Sequence, residues 1–214
     1  MPLHYEGNIS IHKIPGMTKF DNNGYLVICP STLDCIVIDA PGEPEKLLKE
    51  VGDLNVKFIL ITHGHSDHIA GLKEIKEVTG ALVGIGGPDA HNILPDEPDF
   101  YLTDQQEIQF GKHKLTALFT PGHTPGATCF FVGTHLFSGD TLFPGGPGGT
   151  RSPEAFTQVV ASIKSKLLVL PEETVVCPGH GLDTTIKTAK EEYDSFASKV
   201  HPDDLHGTVT WLHS

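Results

Sequence analysis

Phe58-Ile59-Leu60-Ile61-Thr62-His63-Gly64-His65-Ser66-Asp67-His68 is the stretch on which the reading of this chain turns. Its first half is a short apolar run of the length and branching expected of a buried strand. Its second half packs three imidazoles and one carboxylate into six residues, His63 to His68. Imidazole nitrogen and carboxylate oxygen are the donors that zinc, iron and manganese accept. A metal site at the mouth of a strand is the first expectation.

Three later segments repeat the pattern of an apolar run, a Gly or Pro turn and one donor. Leu115 to Phe119 leads into Pro121-Gly122-His123-Thr124-Pro125-Gly126. His135-Leu136-Phe137 leads into Ser138-Gly139-Asp140-Thr141, and Thr174-Val175-Val176-Cys177 into Pro178-Gly179-His180-Gly181. Gly reaches backbone angles closed to other residues and Pro fixes its own, so such turns aim a side chain with little slack. Four strand ends are expected to converge on one point.

His63 and His65, two apart in an extended turn, can face one cation. Asp67 and His68 lie further round and reach a second, with His123 and His180 each completing one set and Asp140 able to bridge both. Seven protein donors leave coordination positions open to water, which distinguishes catalytic from closed structural sites. Paired cations about 3.5–4 Å apart bring a shared water toward ionisation at neutral pH. Asp67 is in addition a candidate catalytic proton acceptor. Asp39, before Ala40-Pro41-Gly42, reads either as a turn carboxylate or as the partner of a ligand histidine. The remaining histidines (His4, His12, His91, His113, His135, His201, His206 and His213) read as structural or exposed.

Around these motifs the pattern alternates strands and helices, as in an α/β layer. Strands are expected at Asn8 to Lys13, Gly24 to Cys29, Cys35 to Asp39, Lys57 to Ile61 and Ala81 to Ile85. Helices are expected at Glu43 to Val51, Ile69 to Val78 and Ile186 to Lys199. Gly86 to Gln106 reads as a loop with a helical turn near Ala90 to Leu94, and Glu107 to Phe137 as short strands. Pro144-Gly145-Gly146-Pro147-Gly148-Gly149 is a linker or a tight turn, without the Gly-Lys-Ser/Thr ending of a phosphate loop. Ser152-Pro153-Glu154 opens a further helix, whose Phe156, Val159, Val160, Ile163, Leu167 and Leu168 recur at core spacing.

The chain has 214 residues, enough for one domain with a substantial core. No apolar run is long enough to span a membrane, and Met1 to Glu6 lacks a leader pattern, so a cytoplasmic location is expected. The formal charge of −12 repels polyanions and disfavours a nucleic-acid partner. A small-molecule substrate fits better, and nothing in the sequence sets the oligomeric state. Cys29, Cys35, Cys129 and Cys177 form no Cys-x-x-Cys pair and read as buried free thiols.

His63-x-His65-x-Asp67-His68, Pro-Gly-His123, Gly-Asp140 and Pro-Gly-His180 together resemble the metallo-β-lactamase superfamily, over Asn23 to Gly181. The resemblance implies an αββα sandwich: two mixed sheets flanked by helices, with metals between the sheets at one edge. Within it the pattern is similar to the glyoxalase II-like branch. Asp140 stands where true β-lactamases usually carry Cys or Ser, and His65 replaces the Glu of the flavodiiron branch. The implied activity is dinuclear hydrolysis of a thioester such as lactoylglutathione, or of a related acyl bond. Two divalent ions are implied, zinc foremost, with iron or manganese as options. Two departures stand out. Only 33 residues follow Gly181, too few for the helical C-terminal domain that holds glutathione in full-length glyoxalase II. The run Gly145-Gly-Pro-Gly-Gly-Thr-Arg151 also differs from the usual Gly-Gly-Val-Gly-Arg, which puts the placement of Arg151 in question. A persulfide dioxygenase with one iron on His63, His123 and Asp140, and a lactonase, are the competing activities.

Overall fold

In the computed structural model, which describes residues 3–93 and 97–212, the apolar runs pair into two mixed sheets. The first contains, in chain order, β1 (Leu3–Glu6), β2 (Ser10–Ile14), β3 (Gly24–Ile28), β4 (Asp34–Ile38), β5 (Asn55–Ile61), β6 (Leu82–Gly86) and β7 (Phe100–Leu102). Its strands are antiparallel up to β4 and parallel from β4 onward. The second contains β8 (Glu107–Phe110), β9 (His113–Phe119), β10 (Thr128–Val132) and β11 (His135–Gly139). A small hairpin, β12 (Leu142–Phe143) with β13 (Gly146–Pro147), stands apart from it. β14 (Val175–Pro178), parallel to β11, and β15 (Thr184–Thr185) complete the second sheet.

Among the described residues five α-helices flank the sheets: α1 (Pro44–Val51), α2 (Ser66–Ile69), α3 (Leu72–Thr79), α4 (Pro153–Ser162) and α5 (Ile186–Ala197). Three apolar layers follow from their placement. Leu47, Val51, Leu72 and Ile75 pack on the outer face of the first sheet. Tyr25, Leu60, Phe110, Phe130 and Phe137 fill the space between the sheets. Phe156, Val159, Ile163, Ile186 and Phe196 cover the second sheet from outside. β3 and β11 are buried at every position because both of their faces are covered. This is the αββα sandwich that the motifs imply.

The Ser152 hydroxyl caps α4 by accepting from Ala155 N at 3.3 Å, as the Ser-Pro-Glu start predicts. The helix continues through one wider π turn at Ile163–Leu167. Two expectations are corrected. The helix expected from Ile69 to Val78 is broken: Gly71 donates to Ala40 O at 2.9 Å, and a β-carbon there would collide with Pro41 O. The helical turn expected near Ala90 is present as a 3₁₀ segment, Gly87–Ile93, but the rest of the expected loop from Gly86 contains the edge strand β7. Leu94, the end of the helical turn expected there, lies outside the described residues. Of the two readings of the Gly-rich run, the tight turn holds: Pro144 and Gly145 close the β12–β13 hairpin.

Candidate metal centre

Strands of both sheets end on one side of the sandwich, and each candidate donor follows such an end. β5 runs into Thr62 and His63, then His65, with Asp67 and His68 on the single turn of α2. His123 follows β9, Asp140 follows β11 and His180 follows β14. Gly179 must be glycine, because a β-carbon would lie 2.5 Å from both Asp140 Oδ1 and His68 Cε1.

The seven donors fall into two groups, His63, His65, His123 and Asp140, and Asp67, His68 and His180. In the first, His65 Nδ1 lies 3.0 Å from both His63 Nε2 and His123 Nε2. In the second, His68 Nε2 and His180 Nε2 are 3.1 Å apart, with Asp67 Oδ2 3.4 Å from His180. Asp140 stands between them. Its Oδ2 is 3.6 Å from His123 Nε2 and 3.4 Å from His180 Nε2, and its Oδ1 is 3.4 Å from His68 Nε2.

The outward nitrogens decide what the inward ones carry. His123 Nδ1 can only donate to Gly149 O at 2.7 Å, and His180 Nδ1 to Phe20 O at 2.8 Å. His68 Nδ1 meets Asp39 Oδ2 at 2.8 Å. Thr62 gives its hydroxyl proton to Asp39 Oδ2, so its oxygen is free to accept from His63 Nδ1 at 3.1 Å. A neutral ring that donates through Nδ1 presents a lone pair at Nε2. Those of His68 and His180 face each other at 3.1 Å, and those of His63 and His123 both face His65 Nδ1 at 3.0 Å, which can give a proton to only one of them, so each group calls for a cation or proton between its nitrogens. Asp140 Oδ1 is buried and makes no well-formed hydrogen bond. The donor set therefore fits divalent cations.

The charge balance shows the same demand for positive charge, met on His68 by a proton. Burial opposes a proton on His68, but Asp39 and Asp140 outweigh it and raise that imidazole to about 10. Burial, reinforced by His68, holds His63 well below the usual histidine range, and burial with His123 lowers His65. Burial also works against an ionised Asp140, yet the imidazoles of His180, His68 and His63 beside it hold its carboxyl well below the usual carboxylate range.

Asp39 is thus the partner of a candidate ligand, one of the two roles left open for it. Its Oδ1 also accepts from Thr62 N at 2.8 Å. Sequence reasoning missed two further residues. Asp89, 1% exposed, accepts from Gly64 N, Thr124 Oγ1 and Gly126 N at 3.0, 2.6 and 2.9 Å, and so ties the His63–His65 turn to the His123 turn. Asn22 donates through Nδ2 to Asp67 Oδ2 at 2.9 Å and lies 3.4 Å from His180 Nε2. The sequence carries no local signal for either beyond their polarity. Asn23, just before β3, and Tyr25 on β3 both donate to Pro178 O, at 3.0 and 2.6 Å, and hold the His180 turn of the second sheet.

Beside the first group opens a cleft of about 410 Å³, lined by His65, His123, His91, Asn92, Arg151 and Gln158 among others. Arg151 is the only arginine of the chain. The altered Gly run leaves it on this wall. The segment before it is held from behind: Thr150 and Gly207 exchange backbone hydrogen bonds, and Trp211 N donates to Gly145 O at 2.8 Å. The Trp211 side chain is fully buried beneath that loop.

An αββα sandwich with a His/Asp centre spanning its sheets defines a class of metal-binding, hydrolase-type proteins. The chain belongs to the metallo-beta-lactamase superfamily, whose family model matches residues 17–180. It is 36% identical over 198 residues to a hydroxyacylglutathione hydrolase-like protein of Gallus gallus, covering 86% of this chain but only 64% of the relative. It is 33% identical over 192 residues to the probable metallo-hydrolase YqgX of Bacillus subtilis (strain 168), covering 79% of this chain and 90% of that protein. Among solved structures, TTHA1623 in a di-iron-bound form superposes with a TM-score of 0.70 at 32% identity, covering 83% of this chain and 96% of that one. Among the described residues no helix is long and apolar enough to cross a membrane.

Proposed function

We propose that this chain is a dinuclear metal-dependent hydrolase of thioesters or related acyl bonds, acting in the cytoplasm on a small anionic substrate such as lactoylglutathione. The observation that carries the reading is the position of Asp140, one carboxylate within 3.4–3.6 Å of histidines in both donor groups. His63, His65 and His123 would hold one cation, Asp67, His68 and His180 the other, and Asp140 both. Bound there, two divalent cations, zinc foremost, supply a nucleophile near neutral pH and polarise an acyl carbonyl.

The chain's own residues do the rest. Asp39, Gly149 O and Phe20 O fix the ring orientations of His68, His123 and His180, so the donors need not reorganise. Asp67, its side chain 23% exposed, would face the second cation through Oδ2 and is the candidate to take a proton during turnover. Arg151 on the cleft wall suits a carboxylate at the far end of the acyl or thiol portion. The test is metal content together with lactoylglutathione hydrolysis. Two cations per chain with turnover, lost in Asp140→Ala, is the expected result; two cations without turnover would refute the thioester.

One observation favours a second reading, a dioxygenase with a single iron on His63, His123 and Asp140. The Asn22 amide already occupies hydrogen-bonding positions on Asp67 and beside His180, where a second cation would compete. A single iron per chain with oxygen uptake on glutathione persulfide would replace the hydrolase reading with this one.

A further inference from the structure

Beyond the catalytic centre, the described residues contain one more group of mixed metal donors: His4, Cys177 and Asp183. They come from distant parts of the chain. His4 lies on β1, the outer strand of the first sheet, Cys177 on β14, and Asp183 just before β15 at the edge of the second sheet. His4 Nε2 is 3.0 Å from Asp183 Oδ2 and 3.9 Å from Cys177 Sγ, and the three donor atoms all lie within 4.8 Å of one another. Donors bound tetrahedrally to zinc sit roughly 3.2–3.6 Å apart, as follows from bond lengths of about 2.0–2.3 Å. The cluster is within a few tenths of an ångström of that shape in the two separations quoted.

Its surroundings pre-orient it. Lys13 Nζ donates to Asp183 Oδ1 at 2.8 Å and to Gly181 O at 2.7 Å, which turns Oδ2 toward His4. The Cys177 side chain is fully buried, and its one polar contact among the described residues is His4. The His4 and Asp183 side chains are 25% and 21% exposed, so a fourth position faces water. An ordinary His–Asp ion pair explains the 3.0 Å contact but gives no reason for a thiol to face it.

We propose that His4, Cys177 and Asp183 form a structural site for a zinc-like divalent cation, separate from the catalytic centre, with water as the fourth ligand. Binding releases the thiol proton to solvent and takes His4 as the neutral imidazole. The cation would join the two sheets at their open edge. Since Cys177 and Asp183 bracket the turn that carries His180, it would also fix both ends of that turn. This assignment does not depend on the hydrolase reading.

Cobalt(II) loaded into the metal-stripped full chain separates the two sites, because the catalytic donors include no thiol. The expected result is a thiolate-to-cobalt charge-transfer band in the near ultraviolet. Cys177→Ser should abolish it, and each of Cys177→Ser and His4→Gln should retain one cobalt fewer than the parent chain. His4 lies on an exposed edge strand, so His4→Gln decides the question even if Cys177→Ser fails to fold. Absence of the band at full cobalt loading overturns the proposal. So does a band that survives Cys177→Ser, which would place the cobalt on another thiol.

Discussion

In the group His63, His65 and His123, the inward nitrogens meet one another and Asp140; in the group Asp67, His68 and His180, the Asn22 amide also reaches in. The supports differ as well. Asp89 braces the first group by clamping two backbone turns, whereas Asp39 braces the second by gripping the His68 ring directly. One centre thus combines a position preformed by backbone and a position tuned by side chains. The first is expected to fill first and hold its cation more tightly.

The largest effect should come from removing the residue common to both groups. Asp140→Ala is expected to lower acyl hydrolysis by at least roughly 10²–10³-fold, the scale for losing one preorganised electrostatic group. It should also weaken both cation sites in an equilibrium titration; a variant that still binds two with parental affinity would show that Asp140 is not shared. Next is Asp89→Ala, which strips three buried donors of their acceptor. A loss of roughly 2–4 kcal/mol in urea unfolding is expected, with the first cation weakened more than the second. Asp39→Asn should reverse that order, weakening the second cation by about 10–100-fold. Competition with a chromophoric chelator would read both variants, and equal losses at both sites would erase the contrast. The smallest change is Asn22→Ala. Freeing Asp67 of its hydrogen bond should tighten the second cation by about fivefold, or ~1 kcal/mol; weaker binding would mean that the amide supports the site instead of competing for it.

How much of this was legible beforehand depends on the range of the interaction. β5 and the turn after it were readable because an apolar run and a donor cluster are neighbours in sequence. The sandwich and the superfamily followed from the family resemblance that the four donor turns carry together. The break at Gly71 was not readable, since it arises from a carbonyl of Ala40 across the fold. Nor was β1, a four-residue edge strand that exists only through its pairing with β2. Asp89 and Asn22 sat in loops whose composition suggested nothing beyond solvation, and their roles come from contacts 25 to 158 residues away along the chain. Asp39 was legible as one of two alternatives, and the His68 contact decides between them. His4, read from sequence as structural or exposed, gained significance only when the fold brought Cys177 and Asp183 beside it.

The Pro178 carbonyl, gripped by Tyr25 on β3 of the opposite sheet and by Asn23 just before that strand, lies two residues from His180. Cation and scaffold are therefore mechanically in series: whatever loosens one layer against the other opens the coordination sphere, and whatever fills that sphere clamps the layers. A cation at a hundred times its dissociation constant adds about 2.7 kcal/mol to a fold that alone binds it. Metal starvation would accordingly register as susceptibility to a protease, with cleavage starting where the two layers part, and the molecule would report the metal supply of its surroundings through its own lifetime.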